Sequence, residues 1–244
     1  PNGPYMASSF LAISSYMSAA PLNPNYKSDE YEFYLNDLKP KIVLVEPNST
    51  NSVVDVAKKL KIPVCEIKIK KNHPTGFFDL FNKENNFNEP NENDEALVLH
   101  TSGTTSRPKI VPLTNKNIYS SSLNISKSLG LSEKDHCLNI MPLFHIHGLI
   151  AIIASSMKSG ASVCASSGFN ALKFLELAKS EKITWYSGVP TMHQTIMLRA
   201  EKNLELAKNL NLRLVRSSSA SLPPAVFEKL NKVFNCPVIE AYGM

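Results

Sequence analysis

Residues 96–109, Ala96-Leu97-Val98-Leu99-His100-Thr101-Ser102-Gly103-Thr104-Thr105-Ser106-Arg107-Pro108-Lys109, pass from a short apolar stretch straight into a hydroxyl-rich loop. The apolar part reads as a buried strand. The loop that leaves it offers backbone N–H and side-chain O–H donors at close quarters, a set that suits a polyphosphate. Gly103 lets the backbone approach a ligand without a Cβ in the way. Lys109 adds a mobile positive charge. An ordinary solvated turn can have the same composition. The stretch is not the standard nucleotide P-loop, because it has no second Gly and no Gly-Lys-Ser/Thr ending. Its neighbours have to decide between the two readings.

Outward from this stretch, strand-like runs alternate with helical patterns. Lys41–Val45, Leu97–His100, Leu138–Met141, Ala161–Ala165, Ile183–Tyr186, Leu212–Val215 and Pro237–Ala241 read as strands. Tyr31, Tyr34, Leu35 and Leu38 share one helical face, with Ser28 as expected N-cap and Pro40 as stop. Val53, Val56, Ala57 and Leu60 repeat the spacing, as do Ala171, Phe174, Leu175 and Ala178. A last helix carries Val226, Phe227, Leu230 and Phe234 after an expected Ser221 cap. Such alternation predicts an α/β fold of mostly parallel sheets flanked by helices. Asn82–Asp94, rich in Asn and Glu, reads as a surface linker. It divides an expected first α/β subdomain, 1–94, from a second, 95–244.

Composition narrows the function classes. The 244 residues are 43% hydrophobic and 19% charged, as in an ordinary globular chain. No run approaches the ~18 apolar residues of a transmembrane helix, and the first residues do not resemble a secretory signal. Cys65, Cys137, Cys164 and Cys236 are scattered without a Cys-x-x-Cys pair, which argues against a zinc site or a disulfide framework and for a reducing compartment. The net charge of +5 lacks aromatic interleaving, so nucleic acid is not an expected partner.

Three further strand ends carry chemistry. Pro142-Leu143-Phe144-His145-Ile146-His147-Gly148 places an imidazole where open α/β sheets bind ligands. The plain alternatives are a structural histidine or a two-histidine metal site. Two histidines one residue apart face opposite ways on an extended chain, and no third ligand is evident, which argues against metal. Arg216-Ser217-Ser218-Ser219-Ala220-Ser221 leaves room for a flat group against the backbone, or is simply a turn into a helix. Glu240-Ala241-Tyr242-Gly243 ends the last strand with an aromatic that could stack on a base, or be buried.

In this order the four stretches resemble the N-terminal domain of the adenylate-forming enzymes, the family of acyl-CoA synthetases, aryl-CoA ligases, luciferases and peptide-synthetase adenylation domains. The family pattern is Thr-Ser-Gly-Thr-Thr-Gly-x-Pro-Lys-Gly, then Pro-Leu-Phe-His-x-x-Gly, then a small-residue strand, then Tyr-Gly-x-Thr-Glu. Ser106-Arg107 in place of Gly-x, Trp185-Tyr186 with Val189-Pro190-Thr191, and Ser217–Leu222 narrow the likeness to the peroxisomal oxalate–CoA ligase group. The resemblance runs from about Pro1 to Met244.

The resemblance implies ATP-dependent activation of a carboxylic acid to acyl-AMP, then transfer to coenzyme A, with Mg2+ as a further cofactor. Thr101, Ser102, Gly103, Thr104, Thr105 and Ser106 would hold the β- and γ-phosphates, with Lys109 as auxiliary cation. Ser106, standing where the family has glycine, restricts that loop. His145 is the expected catalytic residue, between acyl pocket and α-phosphate. Ser219, Ala220, Glu240, Ala241 and Tyr242 would surround the adenine. His145, Ser219 and Arg216 are the expected substrate contacts, since a diacid's second carboxylate needs polar or positive company. A 4-coumarate-like or fatty acid–CoA ligase is the alternative, and a nucleotide-binding module without turnover another. The family's magnesium-holding Glu, ribose-binding Asp, hinge and lysine-bearing C-terminal domain are expected beyond Met244. The chain alone is therefore expected to be inactive. A cytoplasmic or peroxisomal setting is expected.

Overall fold

The computed structural model describes residues 1–70, 72–80, 89–101 and 108–242. The chain forms two units, one of Pro1 and Ser8–Asn115, the other of Asn2–Ala7 and Lys116–Met244. Helix α1 (Pro4–Ser14) spans the first junction. Most of the Asn/Glu-rich linker, 81–88, lies outside the described residues.

In the first unit, helix α2 (Ser28–Leu38) and helix α3 (Val53–Lys59) cover a parallel pair, β1 (Val43–Val45) and β2 (Val64–Glu66). Their apolar faces meet in a core of Tyr31, Leu35, Val53, Val56 and Ala57. Ser28 is the first helical residue of α2 rather than its cap. Lys27 caps, because the Glu30 carboxylate reaches back to its N–H at 2.9 Å and satisfies a donor that Ser28 would otherwise have to meet. A short antiparallel pair follows, β3 (Lys68–Ile69) with β4 (Phe78–Asp79).

Strand β5 (Glu95–His100) pairs antiparallel with β6 (Ile110–Thr114), so the opening stretch is one arm of a hairpin. Pro112, which has no N–H to donate, is tolerated in this two-stranded ladder. The hairpin belongs to the first unit, because Val98 N donates to Ala19 O and Ala19 N to Ala96 O. The division between units therefore falls after it, at Asn115, rather than at the linker before it.

The second unit begins with helix α4 (Asn115–Ser128) and centres on a five-stranded, wholly parallel sheet. Its strands are β7 (His136–Asn139), β8 (Ser162–Ala165), β9 (Trp185–Gly188), β10 (Leu214–Ser218) and β11 (Val238–Ala241), in spatial order β11-β10-β9-β7-β8. Between them come a π-helix (His147–Ala154), α5 (Ser155–Lys158), α6 (Phe174–Ser180), α7 (Pro190–Ala200), α8 (Leu204–Lys208) and α9 (Pro224–Phe234). The main core joins Leu138, Tyr186 and Val215 of the sheet to Phe174, Ile196, Leu230 and Phe234 of the helices. Pro223 rather than Ser221 precedes α9, with extended ψ of 135° and a ring that suits a helix start.

Three strands of the second unit are displaced at both ends by two or more residues from their apolar runs. β7 starts at His136, β9 at Trp185 and β10 at Leu214. Ile140 and Met141 are buried by the turn that follows β7, while Ser187, Arg216 and Ser217 are strand residues despite their polarity.

At the entry end of the sheet, Asp135, just before β7, binds Arg213, just before β10, through Arg213 Nη2 at 2.8 Å and Nε at 2.5 Å. Thr184, before β9, donates to the same carboxylate at 2.9 Å. Burial pushes the Asp135 pKa up, but the hydrogen bonds from Arg213, Ser132 N–H and Thr184 outweigh it and hold the carboxyl below its ordinary value. Its stabilisation is complete above the unfolded value of 3.8 and is lost as pH falls through the lower folded value. Asp135→Asn is expected to cost about 1–3 kcal/mol, because Arg213 is itself partly solvated and screened. Urea unfolding at pH 7 measures it, and the gap between variant and wild type should narrow as the pH falls below 3.8.

Candidate active site

Ligands of open parallel sheets gather at the carboxyl ends of the strands where strand order reverses. Here β8 lies on one side of β7 and β9 on the other, so the reversal falls between β7 and β9. Residues from β7's exit turn, from β9 and from β10 meet there.

His147, the first residue of the π-helix, is buried and is the hub. Its Nε2 lies 2.6 Å from Ser187 Oγ and 3.1 Å from Arg216 Nη1. Its Nδ1 lies 3.1 Å from Ser219 Oγ. Arg216 Nη1 also donates to Ser187 Oγ at 3.1 Å. Burial, then the Arg216 charge, pushes the His147 pKa down to about 3, so the ring is neutral. Arg216 is 7% exposed and, among the described residues, has no carboxylate within ion-pair distance. A buried guanidinium with only neutral partners is costly, and an anion would offset the cost.

The two histidines of the 142–148 stretch do not lie on an extended chain. The backbone turns into the π-helix, with Leu149 N donating to His145 O at 3.1 Å, so His145 is exposed while His147 is enclosed. His145 Nδ1 accepts from His147 N at 3.3 Å, which leaves Nε2 to carry the proton of the neutral ring. Burial lowers the His145 pKa from its ordinary value. π-Helical turns concentrate at functional sites. This one is enforced by Gly148, where a Cβ would stand 2.4 Å from the Pro142 carbonyl oxygen.

Ser219 has φ +73°, a left-handed conformation that costs a non-glycine residue about 1–2 kcal/mol. Its side chain is exposed apart from the bond to His147. Ser219→Gly is expected to be about 1 kcal/mol more stable than Ser219→Ala, since both lose the hydroxyl and only glycine relieves the backbone. Equal denaturation midpoints would remove the strain from the account.

Ala220 and Tyr242 are also exposed, Tyr242 at 89%. Glu240 Oε1 accepts from Leu222 N at 2.7 Å and so ties the entry of α9 to β11. Ala241 pairs with Ser218 in the ladder. Behind β9, Tyr186 and the buried His193 share a 3.1 Å hydrogen bond, and burial lowers the His193 pKa to about 4. In the first unit, Thr101 N donates to Lys109 O at 2.9 Å and Lys109 N to Thr101 Oγ1 at 3.1 Å, so the two ends of the hydroxyl-rich loop are locked together. Ser102, Gly103, Thr104, Thr105 and Ser106 lie outside the described residues. His100, at the loop's foot, is paired with Asp37 at 3.0 Å.

A family model described as AMP-binding enzyme matches residues 1–244. The chain belongs to the AMP-binding enzyme family. It is 40% identical over 243 residues to the oxalate–CoA ligase of Arabidopsis thaliana, a match covering 96% of this chain and 47% of that protein. It is 36% identical over 251 residues to the oxalate–CoA ligase of Saccharomyces cerevisiae, covering 92% and 46%. Among solved structures it matches a malonyl-CoA ligase ternary product complex with methylmalonyl-CoA and AMP bound. That match has a TM-score of 0.81 and 26% identity over all of this chain and 50% of that one. The chain spans about half the length of the curated relatives it matches.

The sequence of this AMP-binding chain pointed to Arg216, Ser219 and His145, but it left His147 as a structural histidine or a disfavoured metal ligand and gave Ser187 no role. The signal for His147 was present in its adjacency to Gly148. Nothing in Ser187's own surroundings marks it.

Proposed function

We propose that this chain is the acid- and nucleotide-recognising part of an AMP-forming acid–thiol ligase, which activates a carboxylic acid with ATP to acyl-AMP and transfers the acyl group to coenzyme A. The acid is a short diacid, with oxalate the first choice. The observation that carries the substrate reading is Arg216, a buried cation near the sheet's reversal point with no carboxylate within ion-pair distance among the described residues. A monoacid would leave that charge unanswered, whereas a diacid has a carboxylate to spare. The two oxalate–CoA ligase relatives support the same reading.

The residues divide the work. His145, neutral and exposed, offers an Nε2–H donor to oxygens at the reacting carboxylate. Arg216 and Ser219 face the second carboxylate. Tyr242 offers an open ring for the adenine to stack on, beside Ala220, Glu240 and Ala241. Thr101 and Lys109 are hydrogen-bonded to each other at the two ends of the stretch 102–106, whose hydroxyl and backbone donors would neutralise the β- and γ-phosphates. Magnesium would supply further neutralisation of the phosphates. Among the described residues no three His, Cys, Asp or Glu side chains converge on a metal-sized site. Among the described residues no helix is long and apolar enough to cross a membrane. The free cysteines suit a reducing compartment, cytoplasm or peroxisome.

Pyrophosphate release by the full-length protein, measured with oxalate, malonate, 4-coumarate and octanoate, tests the proposal. The diacids are expected to exceed the others by at least tenfold in kcat/KM, about the least that one satisfied buried charge contributes. Silence with both diacids rejects the reading. Nucleotide binding without turnover on any acid would leave a binding module.

A further inference from the structure

The proton inventory around His147 has one consistent solution. A guanidinium only donates, so Arg216 Nη1 at 3.1 Å requires a lone pair on His147 Nε2. The other tautomer would set two N–H groups against each other in a buried space. The Ser187 hydroxyl, 2.6 Å from Nε2, shares that single lone pair with Arg216 as a second donor, and accepts from Arg216 Nη1 in return. The ring proton is then on Nδ1, where it is donated to Ser219 Oγ at 3.1 Å. With one of its lone pairs occupied, the exposed Ser219 hydroxyl keeps its own proton for something outside the cluster.

We propose that His147 and Ser187 are positioning residues of the acid pocket: together they fix the Arg216 guanidinium and make the Ser219 hydroxyl a donor, so that the pocket presents only donors to the second carboxylate. The inference rests on the diacid reading above and adds the residues that set its specificity. Neither residue touches the acid. Each acts through a neighbour that does: His147 through Arg216 and Ser219, Ser187 through Arg216. The arrangement also excludes an acid bearing a purely donating group, such as an ammonium, at the second position, because Arg216 has no acceptor to offer it.

The test uses the full-length protein and the ratio of kcat/KM for oxalate to that for acetate. His147→Leu removes both nitrogens and should lower the ratio by about tenfold or more, the change lying in the KM for oxalate. His147→Gln restores an acceptor near the Nε2 position and should recover part of the ratio. Ser187→Ala leaves the ring in place and should lower the ratio in the same direction by a smaller factor, which keeps the question decidable if His147→Leu folds poorly. Equal proportional losses on oxalate and acetate in the His147 and Ser187 variants, or no rescue by glutamine, would overturn the inference alone. Failure of the wild type to use any diacid would overturn the diacid reading and the inference with it.

Discussion

Arg216→Leu is expected to reduce kcat/KM for oxalate by about 10²–10³-fold, inside the range of about 2–5 kcal/mol lost when one partner of a buried charge pair is truncated. The prediction follows from burial and isolation together. The guanidinium is 7% exposed, and the groups recorded around it are the Ser187 hydroxyl and the His147 ring. In the free protein the charge is a liability, so the leucine variant should unfold at the same or a higher temperature than the wild type. Lower activity combined with undiminished stability separates a ligand-binding charge from a structural one. Arg216→Lys keeps the charge but loses the planar fork, and should fall between the two. If the leucine variant used oxalate as well as the wild type, the diacid reading would lose its main support.

Gly148→Ala should be the most damaging single-methyl change in the second unit. The added Cβ would lie 2.4 Å from the Pro142 carbonyl oxygen, a backbone atom that cannot swing aside. The cost should be about 3 kcal/mol or more, in the range reserved for severe overpacking and backbone displacement. That corresponds to a fall in Tm of roughly 6–12 °C for a unit of this size. Because the adjacent residue is His147, the same change should displace the ring that holds Arg216, and oxalate use should fall in whatever fraction remains folded. A Tm within 1–2 °C of wild type would show that the turn into the π-helix can relax, and would weaken the claim that glycine fixes the position of His147.

The sheet was readable because its strands are apolar in the middle and separated by helical spacing. Its ends were not. Ser187 and Arg216 continue β9 and β10 into the site because their polar groups are satisfied by each other and by His147 there, which overrides local strand preference. The π-helix carries no periodic signal, since every residue from His147 to Ala154 is buried. The hairpin partner of β5 was disguised by Pro112. At the site, the motifs picked out the exposed His145 and two members of the His147 cluster, Arg216 and Ser219. Which of two histidines is enclosed depends on a backbone turn, and that turn depends on a carbonyl six residues before Gly148 that no local pattern announces.

The Asp135–Arg213–Thr184 clamp has a consequence for how this protein can change. It ties together the starts of β7, β9 and β10, and the proposed acid pocket draws on the ends of the same strands. Thr184 and Ser187 are three residues apart along β9, about 10 Å in an extended strand. That is beyond the range at which mutational effects ordinarily couple. Asp135→Asn and Arg216→Leu should therefore combine additively in a double-mutant cycle, one lowering stability and the other altering acid choice. A sheet divided in this way lets the pocket acquire a new acid without loosening the clamp that keeps the strands together.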